Sequence, residues 1–504
     1  MDNAVVQPAG EKKLLMLRDR TWSGLAAASV VGALPSLAFP APSLWWLAWF
    51  GIVPLLLVVR AAPTAPAATL RAWCGMAGYI LATQYWLLPS SGPLLVLLAI
   101  GLGALWLPWG LAVYHFLGEP ISARRTLAAV LVLPSAWVTA EAVRSLPSLG
   151  GPWALLGASQ WNQPATLASA SLGGVWLTSF LIAGSNTAIA IVIRQRSVPA
   201  RVLAAAVALA CVGLGPTVFW LGPSPPAVST ARVALVQPGN IEDSAPRQSA
   251  SEALTAALAG QRLDLVVWGE SSVGVDLTGE PEVMTHLTDL SRRVGADLLI
   301  NVDARDRSGG IRKSSVLIGP DGSRGEYTKT RLVPFGEYVP LRPLLGWVAR
   351  HTKAADEDRG RGSGPIVLHT EGLAIGPLIS FETTFSDLPR LEVQRGAQLL
   401  VYQSSTSSFQ GSWAQPQLAS QAAVHATEVG HPAVHTGLSG ISSAFDARGS
   451  QLAWYPSTER GAIVVDVPLG SHTTLYQRLG NWVLALAFSV LSGVCVVAAL
   501  RLRR

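Results

Sequence analysis

Seven long apolar runs, at about 23–39, 44–59, 70–88, 93–117, 126–144, 168–193 and 202–221, precede residue 222, and an eighth covers 482–500. A helix rises ~1.5 Å per residue, so about 20 residues cross a hydrocarbon layer of ~30 Å. The pattern predicts a polytopic α-helical membrane protein with eight spans, seven followed by one. The run at 44–59 is short for a crossing and has Trp45, Trp46 and Trp49 at its flank as interface anchors. Only 13% of the chain is charged and 50% is hydrophobic, the balance of a membrane protein. A cleaved signal peptide is not expected, because the first run is one of several and no small-residue cleavage site with a soluble chain follows it.

Lys and Arg set the orientation, since basic loops stay in the cytoplasm. Lys12, Lys13, Arg18 and Arg20 precede the first run; Arg60 with Arg71, Arg124 with Arg125, and Arg194, Arg196 and Arg201 mark every second loop after it; Arg501, Arg503 and Arg504 end the chain. The intervening loops carry almost none, the fifth holding only Arg144. This alternation puts both termini in the cytoplasm and residues 223–481 outside. Residues 1–222 hold twelve Lys and Arg against five Asp and Glu, and the tail 482–504 adds +3, so with +6 overall the middle carries −4. The basic balance therefore reports topology, and nucleic-acid binding is not expected.

Beyond the proline-rich hinge GPSPPAV (222–228), long apolar runs give way to short ones. Strands are predicted at 232–237, 263–270, 296–304, 314–322, 374–382, 397–405, 441–449 and 461–469, with helices at 248–260, 281–293 and 414–429. Near-continuous apolar strands alternating with helices indicate a buried sheet covered by helices. The charged, glycine-rich stretch AADEDRGRGSG (354–364) reads as a mobile loop. The chain divides into 1–222, 223–481 and 482–504.

Domains of this kind place chemistry at strand ends. Glu270 closes LVVWGE, Lys329 lies in YTKTRLVPFGEYVP, and Ser380 closes GPLIS. A carboxylate can serve as general base, an ammonium can stabilise an oxyanion, and a hydroxyl can attack a carbonyl. Blander roles are open to the same residues: a structural ion pair for Glu270 and Lys329, a turn hydroxyl for Ser380, solvated surface acids for Glu337 and Glu382. His425, His431 and His435 have neither helical nor zinc-ligand spacing, and no metal is expected. The three cysteines, Cys74, Cys211 and Cys495, all fall in apolar runs, so no disulfide framework is expected.

The order Glu, Lys, nucleophile resembles the nitrilase superfamily, whose αββα sandwich carries a Glu-Lys-Cys triad. YTKTRLVPFGEYVPLR (327–342) is similar to its membrane branch, the apolipoprotein N-acyltransferases, as are GALPSLAFPAPSLWWLAWFGIVPLL (32–56), GGPWALLGASQ (150–160), LVQPGNI (235–241) and EVGHPAVHTGLSGISSAFDARG (428–449). The resemblance covers nearly the whole chain. It implies seven spans, an extracytoplasmic nitrilase-like domain and an eighth span, in the cell (inner) membrane. It maps the general base to Glu270, the catalytic lysine to Lys329, the nucleophile to Ser380, and supporting acids to Glu337 and Glu382. The family's Cys-Tyr-Glu is here Ser380-Phe381-Glu382, and its Trp-Pro-Glu is Trp268-Gly269-Glu270. The loop SSTSSFQG (404–411) also departs from the family pattern, and two family arginines are replaced by His425 and His431.

The implied reaction is ping-pong acyl transfer without a cofactor: a phospholipid donates an acyl group to the enzyme, and the α-amine of a diacylglyceryl-cysteine lipoprotein accepts it. A serine hydroxyl is a weaker acid than a thiol, and its oxygen ester is attacked by amines more slowly than a thioester. The clustered departures therefore leave a second reading open, a lipid- or lipoprotein-binding family member that partners an active paralogue.

Overall fold

The computed structural model describes residues 22–118, 122–222, 228–307, 309–347 and 357–502. The basic N-terminal segment, most of the hinge, residues 354–356 of the glycine-rich stretch, and Arg503 and Arg504 lie outside these.

Among the described residues, five helices have the length and composition to cross a membrane: Leu94–Phe116, Ala123–Arg144, Ala170–Arg194, Val198–Leu221 and Trp482–Arg501. The first two apolar runs form shorter helices, Trp22–Ala38 and Trp45–Arg60. Pro35, Pro40, Pro42 and Pro54 break that stretch, because proline lacks the N–H that continues a helix. The third run folds as Ala65–Gln84, long enough but diluted by Thr69, Arg71, Thr83 and Gln84. Buried Asn186 holds the broken region together: its Oδ1 accepts the backbone N–H groups of Ile52 (2.8 Å) and Val53 (3.1 Å), and its Nδ2 donates to Ala48 O (2.8 Å). These are donors that a helix start leaves without an intrahelical partner. Ala170–Arg194 is buried within the bundle, whereas Val198–Leu221 and Trp482–Arg501 turn Val202, Leu209, Trp220, Phe488 and Val496 outward. Large apolar side chains exposed along helices of membrane-spanning length suit lipid, and this is a membrane protein.

The remaining chain forms two six-stranded sheets packed face to face. The first has β1 (Thr230–Gln237), β2 (Leu265–Trp268), β3 (Asp297–Arg305), β4 (Ile311–Gly319), β5 (Gly322–Thr328) and β12 (Gly461–Pro468), in the order β12-β1-β2-β3-β4-β5. The second has β6 (Leu368–His369), β7 (Ala374–Ile379), β8 (Leu399–Ser404), β9 (Ala433–Gly437), β10 (Ser442–Phe445) and β11 (Gln451–Tyr455), in the order β11-β10-β9-β8-β7-β6. β1, β2 and β3 run parallel, as do β7, β8 and β9.

Side chains alternate between faces of a strand, and both faces here are covered. Leu265 and Val267 meet Ile375, Leu399 and Val401 between the sheets. Val266 and Trp268 point the other way, onto a core shared with Leu287 and Leu290 of helix Pro281–Val294. On the far side, Leu378, Leu400 and Tyr402 pack with helix Ala414–Val429, in one continuous apolar cluster with the membrane helices. The layers are helix, sheet, sheet, helix, the expected αββα arrangement. Four strands lie outside the predicted set: β5, β6, β9 and β11. The run 314–322 covers the end of β4 and the turn into β5, the interior strand β9 is the short segment AVHTG, and β11 follows β10; the edge sequence GSRGEYT of β5 lacks the alternation that marks a strand.

Candidate active site

Glu270 follows the C-terminal end of β2 after Gly269, where only glycine fits: a Cβ there would lie 2.3 Å from the backbone nitrogen of Leu438. Its Oε1 accepts from Lys313 Nζ at 2.6 Å, and its Oε2 from the Ser405 N–H at 2.9 Å. Lys329, just beyond β5, is fully buried and donates to Glu337 Oε1 at 2.9 Å, with Glu270 Oε1 3.8 Å away. Glu337 Oε2 accepts the Val333 N–H at 2.9 Å. Lys313 also lies 3.4 Å from Glu337 and 3.5 Å from Asp303. Asp303, its cross-strand neighbour on β3, accepts from Arg359 Nη1 and Ser271 Oγ. Three carboxylates and three cations thus occupy one buried cluster.

Burial pushes the Glu337 carboxyl up, but the Lys329 and Lys313 ammoniums and the hydrogen bonds from Lys329 and Val333 outweigh it and bring it down to about 2. Burial likewise opposes charge on Asp303, and Lys313 and Arg359 overcome it, holding that carboxyl below its usual range. Burial lowers Lys313, yet Glu270, Glu337 and Asp303 together raise it above the ordinary lysine value.

Ser380 is the first residue of the 3₁₀ turn Ser380–Thr384 that ends β7, and its φ is +53°. A non-glycine residue at that angle is strained and persists only where its surroundings hold it. Glu382, fully buried, does the holding. Its Oε2 accepts the Ile379 N–H at 3.0 Å. Its Oε1 accepts the N–H groups of Thr330 (2.8 Å) and Arg331 (2.9 Å), the Thr330 hydroxyl (2.7 Å) and the Tyr327 hydroxyl (2.8 Å). One carboxylate therefore ties the backbone next to Ser380 to the backbone next to Lys329. Register supplies the third side: Ile379 pairs with Gln403 on β8, and β8 ends at Ser404, one residue before the Ser405 N–H on Glu270. Glu337 and Glu382, which the bland reading made solvated acids, are buried. Glu270 and Lys329 are close, but the direct hydrogen bond to Glu270 comes from Lys313.

The site end of the sandwich meets the membrane part. The Phe381 ring packs so closely on Gly151 that a Cβ there would sit 2.6 Å from it. Phe409, in the loop 404–411, stacks edge-on against Trp86, and Trp413 against Tyr85. His425 donates from Nε2 to Thr383 O and pairs through Nδ1 with Glu428, both at 2.7 Å. Glu428 Oε1 accepts the Val175 N–H at 2.7 Å, beside the break at Gly173 and Gly174 in helix Ala170–Arg194. His435 bonds Ser404 Oγ and Ile441 O; His431 bonds Val429 O.

The stretch 357–364, read as part of a mobile loop, lies over this cluster and is tied to it: Arg359 N–H donates to Glu337 O, Gly360 N–H to Ile311 O, and Gly362 N–H to Lys329 O, each at 2.9 Å. Sequence reasoning missed Lys313, Asp303 and Arg359. The available signal was a charged residue within each of two otherwise apolar strands, Asp303 in LLINVDA and Lys313 before SSVLIG.

Residues 31–188 match the family model of the apolipoprotein N-acyltransferase N-terminal domain, and residues 232–477 that of carbon-nitrogen hydrolases. The apolipoprotein N-acyltransferase of Geobacter metallireducens is 30% identical, over 94% of this chain and 94% of the relative. That of Azotobacter vinelandii is 32% identical, over 92% of this chain and 93% of its own length. Among solved structures, a carbon-nitrogen hydrolase from Helicobacter pylori aligns at 14% identity with a TM-score of 0.38, covering 48% of this chain and 91% of that one. With full-length relatives at this identity and both halves matched by their models, the chain belongs to the apolipoprotein N-acyltransferase family.

Proposed function

We propose that this protein is a phospholipid-dependent N-acyltransferase that acylates the N-terminal diacylglyceryl-cysteine of lipoproteins, with Glu270, Lys329 and Ser380 as its catalytic residues. The observation that carries the reading is the Glu382 carboxylate, which bonds the backbone beside both Lys329 and Ser380 while β8 brings Glu270 to the same strand ends. Glu337 supports Lys329, and Glu382 supports the turn. Ser380 Oγ attacks the phospholipid ester carbonyl as Glu270 takes its proton. The tetrahedral oxyanion is met by the Lys329 ammonium and backbone N–H donors, each such donor being worth about 3–4 kcal/mol. Collapse breaks the ester bond to glycerol, and the lysophospholipid leaves with the proton held by Glu270. The lipoprotein amine then attacks the acyl–Ser380 ester, giving the amide and restoring the hydroxyl.

The alternation of Lys and Arg supports eight crossings with both termini cytoplasmic and residues 223–481 outside the cell membrane, between a membrane domain at 1–222 and the final span and tail at 482–504. Contact of Phe381 with Gly151 suits this reading, because acyl chains can stay in an apolar setting while the carbonyl reaches the strand ends. Ser380, standing where the resemblance puts a cysteine, favours slow turnover. The same feature sustains the second reading, a lipid- and lipoprotein-binding member beside an active paralogue.

Labelled phospholipid and a diacylated lipopeptide, given to the detergent-purified protein, separate the two. Transfer by the parent, abolished in Ser380→Ala and accelerated in Ser380→Cys, is the expected result. Transfer by none of the three leaves the binding role.

A further inference from the structure

Lys313 is the residue that contacts Glu270, and it belongs neither to the three proposed catalytic residues nor to their supporting acids. Its Nζ sits 2.6 Å from Glu270 Oε1, while Lys329 stands 3.8 Å from that oxygen and bonds Glu337 instead. The other Glu270 oxygen takes the Ser405 N–H, so the carboxylate is held at both ends and in one orientation. We infer that Lys313 is a positioning residue for Glu270: its charge and its hydrogen bond hold the carboxylate in one orientation, and leave Lys329 to Glu337 and the reacting carbonyl.

The groups facing Glu270 make this specific. From β4 comes Lys313, from the end of β5 Lys329, from the following loop Glu337, from β3 Asp303, from 357–364 Arg359, and from the end of β8 the Ser405 N–H. The carboxylates of Glu270, Glu337 and Asp303 balance Lys313, Lys329 and Arg359. Without Lys313, Asp303 keeps Arg359 and Ser271, and Glu337 keeps Lys329 and the Val333 N–H. Glu270 alone is left with one N–H and an ammonium beyond hydrogen-bond distance. The proton that rebalances the cluster then goes to Glu270, and a protonated acid cannot act as base.

The kinetic consequence rests on the acyl-transfer reading; the ionic one does not. Infrared titration of full-length protein labelled with ¹³C-carboxyl glutamate reads the carboxylic acid directly. In Lys313→Met a protonated glutamate is expected about one to three pH units above any seen in the parent. It should vanish when Glu270→Gln is added, and Lys313→Arg should keep the parent titration. In the transfer assay the acid limb of the pH–rate profile moves to higher pH by the same interval, with substrate KM little changed. A folded Lys313→Met that titrates as the parent does, or whose new acid survives Glu270→Gln, overturns the inference. Should Lys313→Met not fold, Lys313→Gln and the parent-minus-Glu270→Gln difference spectrum decide, a protonated Glu270 in the parent at neutral pH being the contrary result. Infrared shifts without transfer in any variant would retain this role for Lys313 and remove the acyltransferase reading.

Discussion

Buried ion pairs at one end of the sandwich and an exposed pair at the other use the same kinds of group in opposite surroundings. At the C-terminal ends of the parallel strands, Lys313–Glu270 and Lys329–Glu337 have side chains between 0% and 13% exposed. At the other end of β1, Arg232 faces Asp466 at 3.8 Å with 47% and 69% exposed. Water screens the second pair and leaves it worth little. It screens the first pairs far less, so each charge there depends on its partners, and breaking one pair strands a buried ion. The proposed catalytic groups lie where charge is costly, because there neighbouring groups can hold a carboxylate or an ammonium in a chosen state.

Three substitutions would break or sharpen this contrast. Lys329→Met leaves Glu337 without its direct ammonium, and a loss of about 3–5 kcal/mol is expected, read by denaturant unfolding in detergent, with acyl transfer falling below detection. A loss under about 1 kcal/mol would make the site end no different from the surface. Next comes Glu337. Its folded value of about 2 lies below the ordinary ~4.3. A depressed carboxyl contributes stability that is present above the unfolded value and is lost as pH falls from about 4 toward about 2, here on the order of 3 kcal/mol. Unfolding curves across that window should be flatter in Glu337→Gln than in the parent; parallel curves would contradict the assignment. The smallest effect belongs to Arg232→Ala, within about 1 kcal/mol of the parent and weaker still in high salt.

Much of this architecture was legible in the residues. Runs such as LVVW and LLVYQ announce strands buried on both faces, and 281–293 and 414–429 fall within a residue of the helices Pro281–Val294 and Ala414–Val429. The edge strands β5, β6 and β11 were not legible, because a strand paired on one side needs no apolar alternation, whereas the edge strand β12 was, through its apolar run AIVVDV; the short interior strand β9 was missed as well. In the membrane part, hydropathy marked apolar runs but not their breaks, since proline interrupts a helix without lowering the average. The strand-end residues Glu270, Lys329 and Ser380 stood out by position. Lys313 and Asp303 did not, because their partnership is a cross-strand register that local sequence does not contain.

By itself, the chain determined its solvent and its layers: apolar runs of membrane length need lipid, and alternating apolar faces need a second sheet and covering helices. Resemblance added which strand ends to watch. Only the tertiary structure decided that Glu382 joins the Ser380 turn to the segment after Lys329, that Lys313 holds Glu270, and that the segment 357–364 closes on them. Hydrophobic patterning is additive along a sequence, whereas the state of a buried charge depends on every group within a few ångströms, and those groups come from six separate segments of the chain.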